Sequence, residues 1–153
     1  MREQRRGRRT AMSALERDAF LREERTCRVA SVGADGSPHV TPLWFVWDGE
    51  ALWLTSIVQS QRWTDLRRDD RVSVIVDGGH DFLELRGVEL KGRVEMVGEV
   101  PRTGEPNAAL EVPERLFADK YAGGQVRHDG RHGWLRLTPE KMVSWDFRKL
   151  VAS

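Results

Sequence analysis

The chain has 153 residues, of which 39% are hydrophobic and 32% charged, and a formal net charge of +1; that balance excludes a disordered chain and fits one globular domain. No apolar run is long enough to cross a bilayer, and the single cysteine, Cys27, excludes an intrachain disulfide. Residues 1–10 hold five arginines against Glu3, a charge of +4, so the rest of the chain carries −3, which argues against a nucleic-acid-binding body.

Residues 1–12 read as a disordered basic tail without apolar periodicity, and residues 13–150 as the folded domain. No uninterrupted apolar stretch follows the arginines, so no secretory signal is expected, and a reducing cytoplasmic setting fits. Ser13-Ala14-Leu15-Glu16 has the form of a capping box. It opens a helix to about Glu24 with Leu15, Ala19 and Phe20 turned inward. Cys27–Val32 is strand-like and ends at the turn signal Ala34-Asp35-Gly36-Ser37. His39–Trp47 is a long aromatic strand, Asp48-Gly49 a hairpin turn, and Ala51–Ser56 the returning strand. Ser60 caps a short helix to Arg68. Arg71–Asp77 is a strand broken by Gly78-Gly79, and Phe82–Val88 and Leu90–Val97 form a further pair. Pro101–Pro106 is a loop, and Pro113–Tyr121 a helix ending at Gly123-Gly124. Gly133–Leu137 and Met142–Phe147 are the last two strands. About eight antiparallel strands with three short helices make the chain mainly β. Closing the sheet removes its edges, so a small barrel is expected and a doubly wound fold is not.

Two segments carry the candidate chemistry. Pro42 inside the strand Ser37–Trp47 marks an edge or a bulge, because proline cannot donate to the ladder, and frees neighbouring backbone groups for a ligand. Trp44 and Phe45 point to opposite faces. In the second segment, Thr55 and Ser56 close a strand, Ser60 opens a helix, and Arg62 follows; hydroxyls, helix-terminal amides and a guanidinium together suit a phosphate. Other groups read as structural. His128 and His132 are four apart, but Asp129-Gly130 between them reads as a turn, so no metal site is expected. His80-Asp81 is a loop, Cys27 a small buried residue, and Lys120-Tyr121 a helix C-terminus.

The runs Val29-Ala30-Ser31-Val32 and Asp35-Gly36-Ser37-Pro38-His39-Val40-Thr41-Pro42-Leu43-Trp44-Phe45 resemble the signature of the pyridoxamine 5′-phosphate oxidase-like split β-barrel superfamily. More narrowly, they resemble its B-type flavin/deazaflavin oxidoreductases. Ser60–Ser73, Glu89–Val94 and Ser144–Leu150 are similar as well, so the likeness covers about Ser13 to Leu150. Two positions depart from the family pattern: Arg62 stands for a lysine and Asp65 for an asparagine. Arginine keeps the charge and binds phosphate through two bonds, whereas Asp65 would repel a nearby phosphate. The resemblance implies a split β-barrel homodimer with cofactor sites between the subunits. Val40, Thr41, Pro42 and Leu43 would hold the ring through backbone contacts. Thr55, Ser56, Ser60 and Arg62 would hold the phosphate side. Trp44 would be a pocket or interface aromatic, and Trp145 would reach in from the second subunit. Coenzyme F420 is favoured over FMN, in an oxidoreductase passing hydride to or from a small conjugated or aromatic substrate; no catalytic side chain stands out. A flavin, haem or tetrapyrrole carrier without turnover is the alternative. A nucleic-acid-binding barrel with a basic arm is disfavoured by the acidic body.

Overall fold

A period of two in the apolar residues gives each strand of the domain a buried face. The computed structural model, which describes residues 1–151, shows six strands: β1 (Thr26–Val32), β2 (Pro38–Trp47), β3 (Leu52–Ile57), β4 (Arg71–Gly78), β5 (Arg86–Val97) and β6 (His132–Asp146). They close into an antiparallel barrel in the order β1-β2-β3-β6-β5-β4, with β4 returning to β1 where Arg28 lies opposite Ile75 and Ala30 opposite Ser73. Inside lie Val29, Phe45, Leu54, Val74, Leu90 and Leu135, all fully buried.

Six strands replace the expected eight or so, because two predicted strand pairs are single long strands. Glu89 sits in the ladder between Ile75 and Val143, with no turn there. Residues 133–146 likewise run on past Pro139, the register slipping between Lys91 and Gly92 so that Glu140 is the extra residue. That slip is a bulge, and it lets the long β5–β6 ribbon bend around the barrel instead of breaking into hairpins. Phe82–Glu84 form a 3₁₀ turn rather than the start of a strand. The Glu84 carboxylate accepts from the His80 and Asp81 amides and holds that turn.

Three helices cover the barrel: α1 (Ala14–Glu23), α2 (Gln61–Arg68) and α3 (Ala108–Tyr121). Ser13 caps α1 by accepting from the Glu16 amide, but the Glu16 carboxylate pairs with Lys149. Leu15, expected inward, is 82% exposed; α1 meets the barrel only through its last turns, where Phe20 and Leu21 are buried. α3 starts earlier than Pro113, at an Asn107 cap whose side chain accepts from the Ala109 amide at 3.0 Å. It packs on the outside of the sheet, where Val46, Trp53, Leu110 and Trp134 form a second apolar cluster. The basic segment lies against β6: the Arg2 amide donates to Glu140 O at 2.9 Å, and the Gln4 side chain bonds both backbone groups of Ser144. Among the described residues no helix is long and apolar enough to cross a membrane.

Gly87 shows how tightly the long ribbon is packed. A Cβ there would meet the Trp145 indole at 2.4 Å and Val76 O at 3.0 Å. Gly87→Ala is therefore expected to destabilise the protein by roughly 1–3 kcal/mol, as overpacked core sites do. Urea unfolding of the variant beside the wild type measures this; an unchanged midpoint would refute the close contact.

Candidate functional site

The barrel is closed except along one seam. Phe45 opposite Leu54 is the last pair joining β2 to β3. Beyond it Pro38–Trp44 pair only with β1, and Thr55–Ile57 only with β6. α2 leaves β3 just there, with Ser60 as its N-cap accepting from the Trp63 amide at 3.1 Å. One residue into that helix, Arg62 turns its side chain into the gap. Its Nε and Nη2 donate to Ser56 Oγ on β3 at 3.1 and 3.0 Å, and its Nη1 to Thr41 Oγ1 on β2 at 2.6 Å. Ser60 Oγ lies 3.5 Å from Ser56 Oγ. Thr41, Ser56, Ser60 and Arg62 are thus gathered into one cluster.

That cluster is electrostatically incomplete. Arg62 is 8% exposed and bonds only hydroxyls, with no carboxylate partner among the described residues. Burial draws its pKa below the ordinary arginine value. A buried cation without an anion is costly, so the cradle is complementary to a negatively charged ligand. Asp65 does not fill this role. It is 1% exposed, and its Oδ1 accepts from Gln61 Nε2 at 2.8 Å and Arg68 Nη2 at 3.0 Å. These bonds, Gln61 first, hold its carboxyl below the usual range. The repulsion expected from Asp65 is countered by Arg68.

The other predicted residues fall into two groups. Tyr121 at the end of α3 places its hydroxyl where the β1–β2 ladder would continue, accepting from Phe45 N at 3.2 Å and lying 2.6 Å from Arg25 O and 2.9 Å from Phe45 O. Phe45 therefore directs its backbone groups toward β1. By strand alternation, those of Val40, Pro42 and Trp44 face the seam, Pro42 with its carbonyl alone. Leu43 turns its side chain toward the core, as Thr41 does toward Arg62. Pro42, Leu43, Trp44 and Thr55 line a pocket of about 730 Å³ between the outer sheet face, α3 and the loop before β6. Trp44 stacks on Tyr121 at 4.4 Å with 9° between the rings, and Arg25 lies over Tyr121 at 4.8 Å. Trp145 is not in this pocket; its indole packs over Gly87 on β5.

The sequence reading missed Glu114 on α3. Leu110, Glu114, Phe117, Ala118 and Tyr121 recur at helical spacing on the face turned to the barrel, and a glutamate on such an apolar stripe is the signal that was available. Glu114 accepts from Arg102 through both oxygens, at 3.1 and 2.9 Å, and from Trp134 Nε1 at 3.3 Å. Burial alone would raise its pKa; Arg102 and His128 hold it low. Lys120, also on α3, sets its Nζ 4.0 Å from the Phe45 ring centre and 3.3 Å from Phe45 O. Cys27 is fully buried and burial pushes its thiol up to about 12, so it is inert as a nucleophile.

The pyridoxamine 5′-phosphate oxidase family model matches residues 15–146. A solved structure of a conserved hypothetical protein from Mycobacterium tuberculosis is 31% identical, covers 99% of this chain and 94% of its own, and superposes with a TM-score of 0.80. An F420 reductase is 25% identical over 82% of this chain and 94% of its own, with a TM-score of 0.61. A haem storage protein from Vibrio cholerae, 17% identical over 85% of this chain and 93% of its own at a TM-score of 0.66, shares the fold. Comparison with curated proteins returns no match.

Lys120 makes the α3–barrel contact pH-dependent. Burial, then the nearby Arg25 charge, lowers its pKa to about 8 from an ordinary 10.5. Between those values the unfolded chain binds the extra proton, so this group makes stability rise with pH. Cys27 opposes it from pH 9 upward, because its folded pKa is raised. Unfolding free energy from urea titrations should therefore increase from pH 8 to pH 9 in the wild type and stay level in Lys120→Met. Equal slopes in the two proteins would refute the depressed pKa.

Proposed function

The chain belongs to the pyridoxamine 5′-phosphate oxidase family, and within it we propose an oxidoreductase that passes hydride between coenzyme F420, or else FMN, and a small conjugated or aromatic substrate. The observation that carries this reading is the buried Arg62 guanidinium, which meets only the hydroxyls of Thr41 and Ser56. Both cofactors bring a phosphate, and this cradle lacks an anion. Arg62, Ser56, Ser60 and Thr41 would hold that phosphate. Thr55 and the seam-facing backbone of Val40, Pro42 and Trp44 would support the ring, with Leu43 beneath it. When bound, the cofactor supplies the hydride chemistry; the protein supplies position, exclusion of water and charge.

F420 is favoured because an F420 reductase is among the similar structures and because the exposed Arg67 on α2 adds positive charge, Arg68 being paired with Asp65. A homodimer belongs to the same reading. Val40 is 65% exposed on the outer face of β2, where a second copy would cover it, and Trp145 would contribute from that copy.

Fluorescence titration of the purified protein with F420 and with FMN tests the assignment. Binding of F420 is expected, and Arg62→Gln should weaken it by at least about tenfold, the loss of one charge-assisted contact to phosphate. Affinity for neither cofactor would sink the proposal. Tight binding with no substrate reduced by the loaded protein would assign it as a carrier instead.

A further inference from the structure

The pocket beside the seam holds two histidine–carboxylate pairs, and they are not equivalent. His128 Nε2 lies 2.9 Å from Glu114 Oε2, and the same carboxylate is occupied by Arg102. The His128 Nε2 is spent on that shared carboxylate, and the Nδ1 side of its ring packs against Gly104. Arg127, the remaining cation of the pocket, donates to Gln125 at 2.7 Å. His132, the first residue of β6, is held differently. Its Nδ1 lies 2.5 Å from Asp129 Oδ2, while the Arg131 and His132 amides fix Asp129 Oδ1 at 2.9 and 3.1 Å. Among the described residues its Nε2 has no hydrogen-bond partner, and the residue lines the pocket. A carboxylate at Nδ1 fixes the ring's orientation, and the Nε2–H of the protonated ring is then free for a ligand.

The rest of the pocket says what that ligand is. Pro42, Trp44, Phe117 and Trp134 present flat apolar surfaces, which suit a planar, largely uncharged molecule. We propose that His132, oriented by Asp129, is the hydrogen-bond and proton donor to an oxygen atom of a planar conjugated carbonyl compound bound in this pocket. The hydride step that follows rests on the oxidoreductase reading above. Hydride from the reduced cofactor forms a C–H bond at the far carbon of the conjugated C=C. The π electrons move toward the carbonyl, and its oxygen takes the Nε2 proton, leaving an enol and a neutral imidazole that water reprotonates. The substrate gains two electrons and two hydrogens, and the cofactor is oxidised.

The donor is tested first without any cofactor, using 4-nitrophenol as an oxygen-bearing planar probe. Its absorbance should shift on binding, the His132 ring nitrogens should move in ¹⁵N NMR spectra of the wild type, and His132→Gln should weaken binding about tenfold, with Asp129→Asn weakening it less. No binding, unmoved His132 resonances, or an affinity within twofold of wild type in His132→Gln would overturn the site. The NMR measurement needs no variant, so it decides even where a substitution impairs folding. In the second arm, reduced F420 and 2-cyclohexen-1-one are given to the wild type and to His132→Gln. The variant should bind the cofactor equally well and reduce the enone at least about a hundredfold more slowly, the loss typical of a missing general acid. Equal rates would overturn the proton-donor role alone. A wild type that binds neither F420 nor FMN would instead sink the oxidoreductase reading and the hydride step, while the nitrophenol result still decides the donor site.

Discussion

One guanidinium holds the architecture of this site. Arg62 sits in the seam where β2 and β3 part, bonded to a hydroxyl on each strand. Two neutral hydroxyls discharge a buried cation poorly. Its position is set by α2, which leaves β3 beneath the seam under the Ser60 cap. The side chain thus bridges strands that the backbone ladder does not join, and the closed barrel around it keeps the gap from collapsing. A seam bridged by an unneutralised charge is an opening already shaped for an anion.

The second constraint comes from α3, whose barrel-facing side builds most of the outer pocket. Tyr121 terminates the β1–β2 ladder with its hydroxyl and supports Trp44 by stacking. Glu114 ties the helix to Arg102 in the loop after β5 and to Trp134 on β6. Phe117 and Trp134 meet edge to face at 5.8 Å. Each of these contacts joins segments far apart in the chain, so the pocket exists only when helix and barrel are docked together. The half-buried Lys120 sits in the same joint, which explains why a site-forming contact carries a cost for the charged amine.

A split barrel of this kind is shared by an F420 reductase and a haem storage protein. Fold alone therefore decides little about chemistry. What separates the possibilities is the donor set. The cradle offers a cation and hydroxyls, which suit phosphate, while the pocket beside it offers flat aromatic walls and His132, whose Nε2 has no hydrogen-bond partner among the described residues. Those are different ligand chemistries, and they stand side by side because Thr41 and Pro42 on β2, and Ser56 and Thr55 on β3, alternate between the two sides of the same seam.

Local chemistry in the sequence was enough to determine much of this. The period-two valines of β4, the Asp48-Gly49 turn, the Ser60 cap and the strand edge at Pro42 are short-range features, and each is found where its residues place it. The gathering of Ser56, Ser60 and Arg62 was legible too, because they lie at a strand end and a helix start, but that Thr41 joins them while Thr55 lines the outer pocket was not. The number of strands was not legible: whether β5 and β6 each break or bend depends on the bulge at Gly92, which is a property of two strands in register rather than of either one. The inward-facing Leu15 failed for a related reason, since which face of a short helix is buried is decided by what it docks against. The pairing of Asp65 with Arg68, the placing of Trp145 over Gly87, and the pocket face of α3 likewise appear only in three dimensions. The sequence determined which groups were present and how each short segment was shaped; tertiary packing decided which groups met, because burial and charge compensation depend on neighbours distant along the chain.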